Sequence, residues 1–153
     1  MNRMIKSKPK EPGQSMVELA LTITIIMALL AGTVDLGRAF FTWLAMRDAA
    51  QEGAAYGSLY PTNESELRAR VKANLNVASI DPSKIDVTIK ILPIPPDVYP
   101  NPPGKPCYGN AIQVDVSYPQ FPITMPFLGT IMGNQYFPIH ATIIDTILRP
   151  ACP

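Results

Sequence analysis

The sequence predicts an α+β protein: a long N-terminal transmembrane helix, a second short helix and a three-stranded antiparallel β-sheet. Three observations carry that reading. Leu19 to Val34 is an apolar run without a charge, and no proline occurs between Pro12 and Pro61. Beyond Ile85 the spacing of apolar residues changes from the helical 3.6 to the strand period of 2. With 153 residues, the chain has room for one domain with a core and too little for two ordinary ones.

Residues 1–13 carry Arg3, Lys6, Lys8 and Lys10 against Glu11 alone, while Pro9 and Pro12 prevent a continuous helix there. This segment reads as a basic leader. From Met16 to Val34 the chain is close to the ~20 residues that cross a bilayer, so a transmembrane part is expected at about 16–34. The positive-inside bias places the basic side in the cytoplasm and everything beyond Val34 outside. A secretory signal would end in an A-x-A-like cleavage site, and none is evident. A plain single-pass anchor and a prepilin-type segment, cut before the apolar stretch, remain as alternatives.

Glu18 separates those two. An acid at the edge of the span can reach the interface at little cost, which is its ordinary structural role. However, Gly13 precedes a possible scissile bond and Glu18 is the fifth residue after it. Cutting between Gly13 and Gln14 would create an α-amine one helical turn from the carboxylate, and in a bundle that amine can pair with Glu18 of a neighbour.

The segments G-Q-S-M-V-E-L-A-L, V-D-L-G-R-A-F-F and A-A-Q-E-G-A-A, over about residues 13–57, resemble the N-terminus of TadE/TadG-like proteins. Those are pseudopilins or minor pilins of the tight-adherence (Tad) pilus machinery. The resemblance implies processing after Gly13, a pilin glutamate at Glu18, and a polar cluster at the outer end of the span formed by Asp35, Gly37 and Arg38. It implies as partners other pilins or pseudopilins, a prepilin peptidase, and the Tad secretion platform with its assembly ATPase. The location it implies is the cytoplasmic (inner) membrane, single-pass, with an extracytoplasmic C-terminal domain. Two positions depart from the family pattern. Gln14 stands where type IV pilins usually have an aromatic residue, and Thr24 stands where the family often has proline.

Residues 14–57 are expected as one helix. On its projecting half Leu36, Phe40, Trp43, Leu44 and Met46 supply an apolar face, and Ala45, Ala49, Ala50, Gly53, Ala54, Ala55 and Gly57 cluster at the far end. Small residues admit a close neighbour, either this chain's own domain over 58–153 or another pilin. A second helix is expected at about 64–78, opened by a capping box of Asn63 and Glu66, with Leu67, Val71, Leu75 and Ala78 along one face.

Ile85, Val87, Ile89 and Ile91 alternate with polar residues as a first strand, and Ile112, Val114, Val116 and Tyr118 as a second. Seven prolines among residues 93–106 exclude helix and central strand, leaving an extended loop that serves as a stiff connection or as a docking surface. A loop containing Pro119, Pro122 and Pro126 follows, and its apolar run Phe127–Met132 either tucks under the sheet or touches the membrane. The third strand, Tyr136–Leu148, breaks alternation at Ile143 and Ile144, which suggests burial on both faces or a bulge. Antiparallel pairing of the last two strands brings Cys107 and Cys152 to one edge of the sheet. A disulfide there fits an oxidising exterior.

The remaining composition argues against an enzyme. Two cysteines and one histidine cannot build a closed zinc site. There is no Gly-rich phosphate loop and no nucleophile–base set, and no acid or nucleophile is tied to His140. A catalytic site, a metal and a cofactor are therefore not expected. The net charge of +1 gives no case for nucleic acid. The contrasting reading is an unprocessed, membrane-anchored extracytoplasmic binding or adhesion module.

Overall fold

A computed structural model of the chain describes residues 12–77, 80–93, 104–125, 129 and 133–152. Helix α1 spans Pro12–Leu59, α2 spans Glu64–Val77, and a short 3-10 turn, Pro82–Lys84, leads into the sheet. The strands are β1 (Asp86–Leu92), β2 (Ala111–Pro122) and β3 (Tyr136–Thr146), in the spatial order β1-β2-β3 with both pairings antiparallel. The architecture is α+β, as the periodicities predict.

α1 is longer at both ends than the expected 14–57. It begins on Pro12, a residue type favoured in the first helical turn, where no N–H is needed. Its 48 residues extend about 72 Å at 1.5 Å per residue. Nothing interrupts it at Thr24, whose hydroxyl donates to the Ala20 carbonyl within the same helix. At the far end Pro61 prevents continuation, and Tyr60 N–H closes the last turn on Tyr56 O.

Asn63 then caps α2: its side-chain oxygen accepts from Glu66 N–H and Ser65 Oγ. Only half of the expected capping box is formed. The Asn63 N–H donates to Tyr60 O, and the Glu66 carboxylate pairs instead with Arg70 at 3.3 Å. Leu67, Val71 and Leu75 are buried, as their spacing predicts, whereas Ala78 lies outside the described residues.

Both helices cover one face of the sheet. The core lies between them and the inward residues Val87, Ile112, Val114, Val116, Ile139 and Ala141. The face of α1 that enters this core differs from the expected one. Met46 is fully buried, but Leu36 is 74% exposed, and Phe40 and Trp43 also face outward. The buried stripe consists of Met46, Ala49, Ala50, Gly53, Ala54 and Gly57. Close approach explains the choice: a Cβ on Gly53 would stand 2.5 Å from Val71 Cγ2, so the α2 and sheet side chains already occupy that space. Of the two readings of the small-residue cluster, packing against the chain's own domain is therefore the one observed.

Two strand expectations also need correction. β2 does not end before Pro119 but runs through it to Pro122. The register shifts between Tyr118 and Phe121, which pair with Ile139 and Phe137, so β2 carries one extra residue there. A bulge removes the need for an N–H at Pro119 and lets a proline sit within the strand. β3 itself alternates regularly. Ile139 and Ala141 point inward, Ile143 is half-buried, and Ile144 lies exposed on the wet face rather than in a second core.

The disulfide between Cys107 and Cys152 is formed, with Cα atoms 5.0 Å apart. Beside it Tyr108 N–H donates to Pro150 O, Gly109 N–H to Ile147 O and Leu148 N–H to Ser58 O. The C-terminal tail is thus tied both to the β2 entry and to the end of α1. Within the Pro-rich segment, residues 94–103 lie outside the described residues. So does the apolar run Phe127–Met132, apart from Gly129.

Candidate membrane-insertion and assembly site

The structure divides α1 into two halves of opposite environment. From Ala39 onward the head domain grips one side of the helix; before Gly32 none of the other described elements packs on it. Met16, Val17, Leu19, Leu21, Ile23, Ile25, Ile26, Met27, Leu29, Leu30 and Val34 are all exposed. That is far more contiguous apolar surface than a free soluble domain carries. The helix is long and apolar enough to cross a membrane, and none of its most apolar stretch is buried. The three threonines of the run fold their hydroxyls back onto the helix, Thr22 onto Glu18 O, Thr24 onto Ala20 O and Thr33 onto Leu29 O. The polar atoms of these side chains are therefore already satisfied within the helix.

Gly13 and Gln14 occupy the first turn of α1, exposed, with open space around the Gly13 Cα. N–H groups of a first turn have no intrahelical acceptor, so this is the least firmly held part of the helix. Glu18 lies one turn further along on the same surface, where Gly13, Gln14, Val17 and Leu21 surround it. Its carboxylate makes no ion pair among the described residues.

At the other end of the apolar run, two of the three residues of the expected polar cluster, Asp35 and Arg38, are in contact. Asp35 is buried, and its carboxylate accepts the backbone N–H groups of Thr124 (2.7 Å) and Met125 (2.6 Å). Arg38, one turn on, pairs with Asp35 at 3.3 Å and donates to Thr124 Oγ1 at 2.5 Å, with its guanidinium over the Phe121 ring. Gly37 takes no part: a Cβ there would meet nothing within 4 Å. It lies on the rim of a crevice whose other members include Arg38, Phe41, Lys84 and Tyr118. Asp81 borders the same crevice, its carboxyl held below the usual range by hydrogen bonds from Ser83 Oγ and Ser83 N–H.

Thr124 and Met125 are the partners that sequence reasoning does not find, because nothing local ties them to a residue almost ninety positions earlier. The available signal is an aspartate placed directly after an apolar run with an arginine three residues on, a pair that needs further donors if it is buried. No group of three or more His, Cys, Asp or Glu side chains that could hold a metal occurs among the described residues. His140 is exposed on β3.

Residues 13–55 match the family model described as TadE-like protein. The match covers the free apolar helix, Asp35 and Arg38, and most of the small-residue stripe, and ends before α2. Comparison with curated proteins and with solved structures gives no match.

Proposed function

We propose that the protein is a structural pseudopilin or minor pilin of a Tad-type pilus, anchored by α1 in the cytoplasmic membrane and processed after Gly13 by a prepilin peptidase. One observation carries this reading. A single continuous helix is apolar and, among the described residues, exposed along its first half, while its second half is built into a small folded head. Such a helix requires lipid or other helices around it, and the TadE-like match over 13–55 supports the second in the setting of a pilus. Free apolar surface on a helix supplies lateral packing, not catalysis.

In this mechanism the chain inserts with residues 1–13 on the cytoplasmic side. Peptidase cleavage at the loosely held first turn leaves an α-amine on Gln14. The carboxylate of Glu18 in a neighbouring subunit neutralises that amine, and the pairing sets the axial stagger of adjacent helices as they leave lipid for the fibre. Asp35 and Arg38 hold the head at a fixed height above the span. The partners in this reading are other pilins, the peptidase and the Tad secretion platform.

The test is the intact mass and N-terminal sequence of the protein isolated from its own host's membranes and from a sheared surface fraction. A start at Gln14 is expected in both. A start at Met1 with no sheared material would sink the processing claim, and the chain would then be an unprocessed anchored binding or adhesion module.

A further inference from the structure

The tip of the head, Ile123–Met125 between β2 and β3, reaches back along α1 to Gly32. A Cβ on Gly32 would lie 3.4 Å from the Met125 sulfur. Gly32 belongs to the uncharged run, so the tip descends to a depth at which the helix itself is dressed for lipid. Between the two lies a groove of about 320 Å³, lined by Gly32, Leu36, Ala39, Ile123, Met125 and Phe137, with Asp35 at its floor. Its exposed surface is almost wholly apolar, and it is continuous with the apolar flank of the span through Gly32 and Leu36.

Irregular backbone tolerates hydrocarbon only if its polar groups are satisfied by protein. The three N–H groups of Ile123, Thr124 and Met125 meet that condition. Ile123 N–H donates to Gln135 O at 2.9 Å, and the next two N–H groups both donate to Asp35. Conversely, an aspartate buried beside an apolar groove needs its charge met, and Asp35 receives those two donors and the Arg38 guanidinium. Above this level α1 exposes Phe40, Phe41 and Trp43, with Arg47 over the Trp43 ring. Aromatic and basic side chains of this kind favour the headgroup zone. Twenty residues counted back from Arg38 end at Leu19, directly after Glu18, so one bilayer thickness of about 30 Å places both charged positions at its edges.

We propose that the bilayer reaches to about Arg38, that the Ile123–Met125 tip is immersed in the leaflet on the head's side, and that the groove holds a phospholipid acyl chain. This rests on the reading that α1 spans the membrane. The lipid is preferred over a second copy of the chain because the groove opens onto the flank of the span, at the depth where acyl chains already surround the helix.

The experiment uses the full chain in vesicles of phosphatidylcholine brominated on its acyl chains, with Trp43→Phe removing the single native tryptophan. Single tryptophans are then introduced as Met125→Trp, the conservative Phe137→Trp, Ile25→Trp in mid-span and Thr62→Trp on the distal head. Loss of emission is expected at positions 25, 125 and 137, with emission retained at 62. Quenching at 25 without quenching at 125 and 137 overturns the immersed tip and leaves the spanning helix standing. Emission at 125 and 137 that is protected from bromine and depends on protein density assigns the groove to a second copy, and overturns the proposal. Retained emission at 25 overturns the spanning reading and this proposal with it.

Discussion

Gly57 on α1 and Ile112 on β2 are in direct apposition: a Cβ on Gly57 would stand 2.5 Å from Ile112 Cδ1 and 2.8 Å from Leu67 Cδ1. Ile112 and Leu67 are themselves fully buried, so their terminal methyls would have to shift within a packed core to admit it. At this point helix and sheet approach more closely than any side chain larger than hydrogen on residue 57 would allow without a shift.

Gly57→Ala tests this directly. Alanine improves helix propensity by up to about 1 kcal/mol, but overpacking costs about 1–3 kcal/mol. A net loss of stability is expected in urea unfolding of the detergent-solubilised protein. Ile112→Val removes the clashing Cδ1, so the double variant should recover part of that loss. If Gly57→Ala is as stable as the parent, the apposition is not tight.

Asp35 offers a graded series. Asp35→Ala strands two backbone N–H groups, each costing about 1–3 kcal/mol when buried without a partner. Asp35→Asn keeps an acceptor but loses the ion pair with Arg38. Amide exchange at Thr124 and Met125 should accelerate in the order parent, Asn, Ala, while the amides of Val114 and Val116 in mid-β2 change little. Equal acceleration throughout the sheet would mean that Asp35 supports the whole head and not the tip alone.

Glu18 makes no ion pair within the described chain, so Glu18→Gln should leave the thermal unfolding of the head unchanged. In the host it should sharply reduce the protein recovered in the sheared surface fraction. Unchanged recovery would remove the glutamate from the assembly mechanism.

Opening the Cys107–Cys152 bridge releases a loop of 45 residues, for which loop-closure arithmetic gives a ceiling of about 4 kcal/mol. The paired variant Cys107→Ser/Cys152→Ser should unfold at lower urea concentration. Exchange should rise first at Tyr108 and Leu148, whose N–H groups bond to Pro150 and Ser58. A variant with unchanged midpoint would show that those backbone bonds alone secure the tail.

Much of the fold was legible in the sequence because it is written in periodicity. Alternation located the strands, and the antiparallel order of the last two placed both cysteines at one edge. The proline-free interval set the length of α1, and the Leu67–Val71–Leu75 spacing gave the buried side of α2. The side of α1 that is buried was not legible. Phe40 and Trp43 carry the strongest hydrophobic signal but face outward, while alanines and glycines, nearly silent on any hydrophobic scale, form the contact. The bulge at Pro119 was hidden because proline ordinarily argues against a strand. Of the candidate site, Glu18 could be read from its position against the apolar run and Gly13, whereas Asp35 and Arg38 came from the resemblance to TadE/TadG-like proteins. The Thr124 and Met125 donors could not, since they are backbone groups brought in by tertiary structure.

Because α1 passes from its exposed apolar half into the head without a joint, it fixes an angle as well as a height. Glu18 and the Asp35–Arg38 pair hold a set azimuth about one common axis, so a turn of the apolar half is carried on to the head. One alanine inserted between Leu21 and Leu30 would rotate the head by about 100° and raise it about 1.5 Å relative to Glu18. Two inserted residues would nearly reverse its facing. The helix is a protractor as much as an anchor, and the direction in which the head looks is decided by a residue count inside the apolar run.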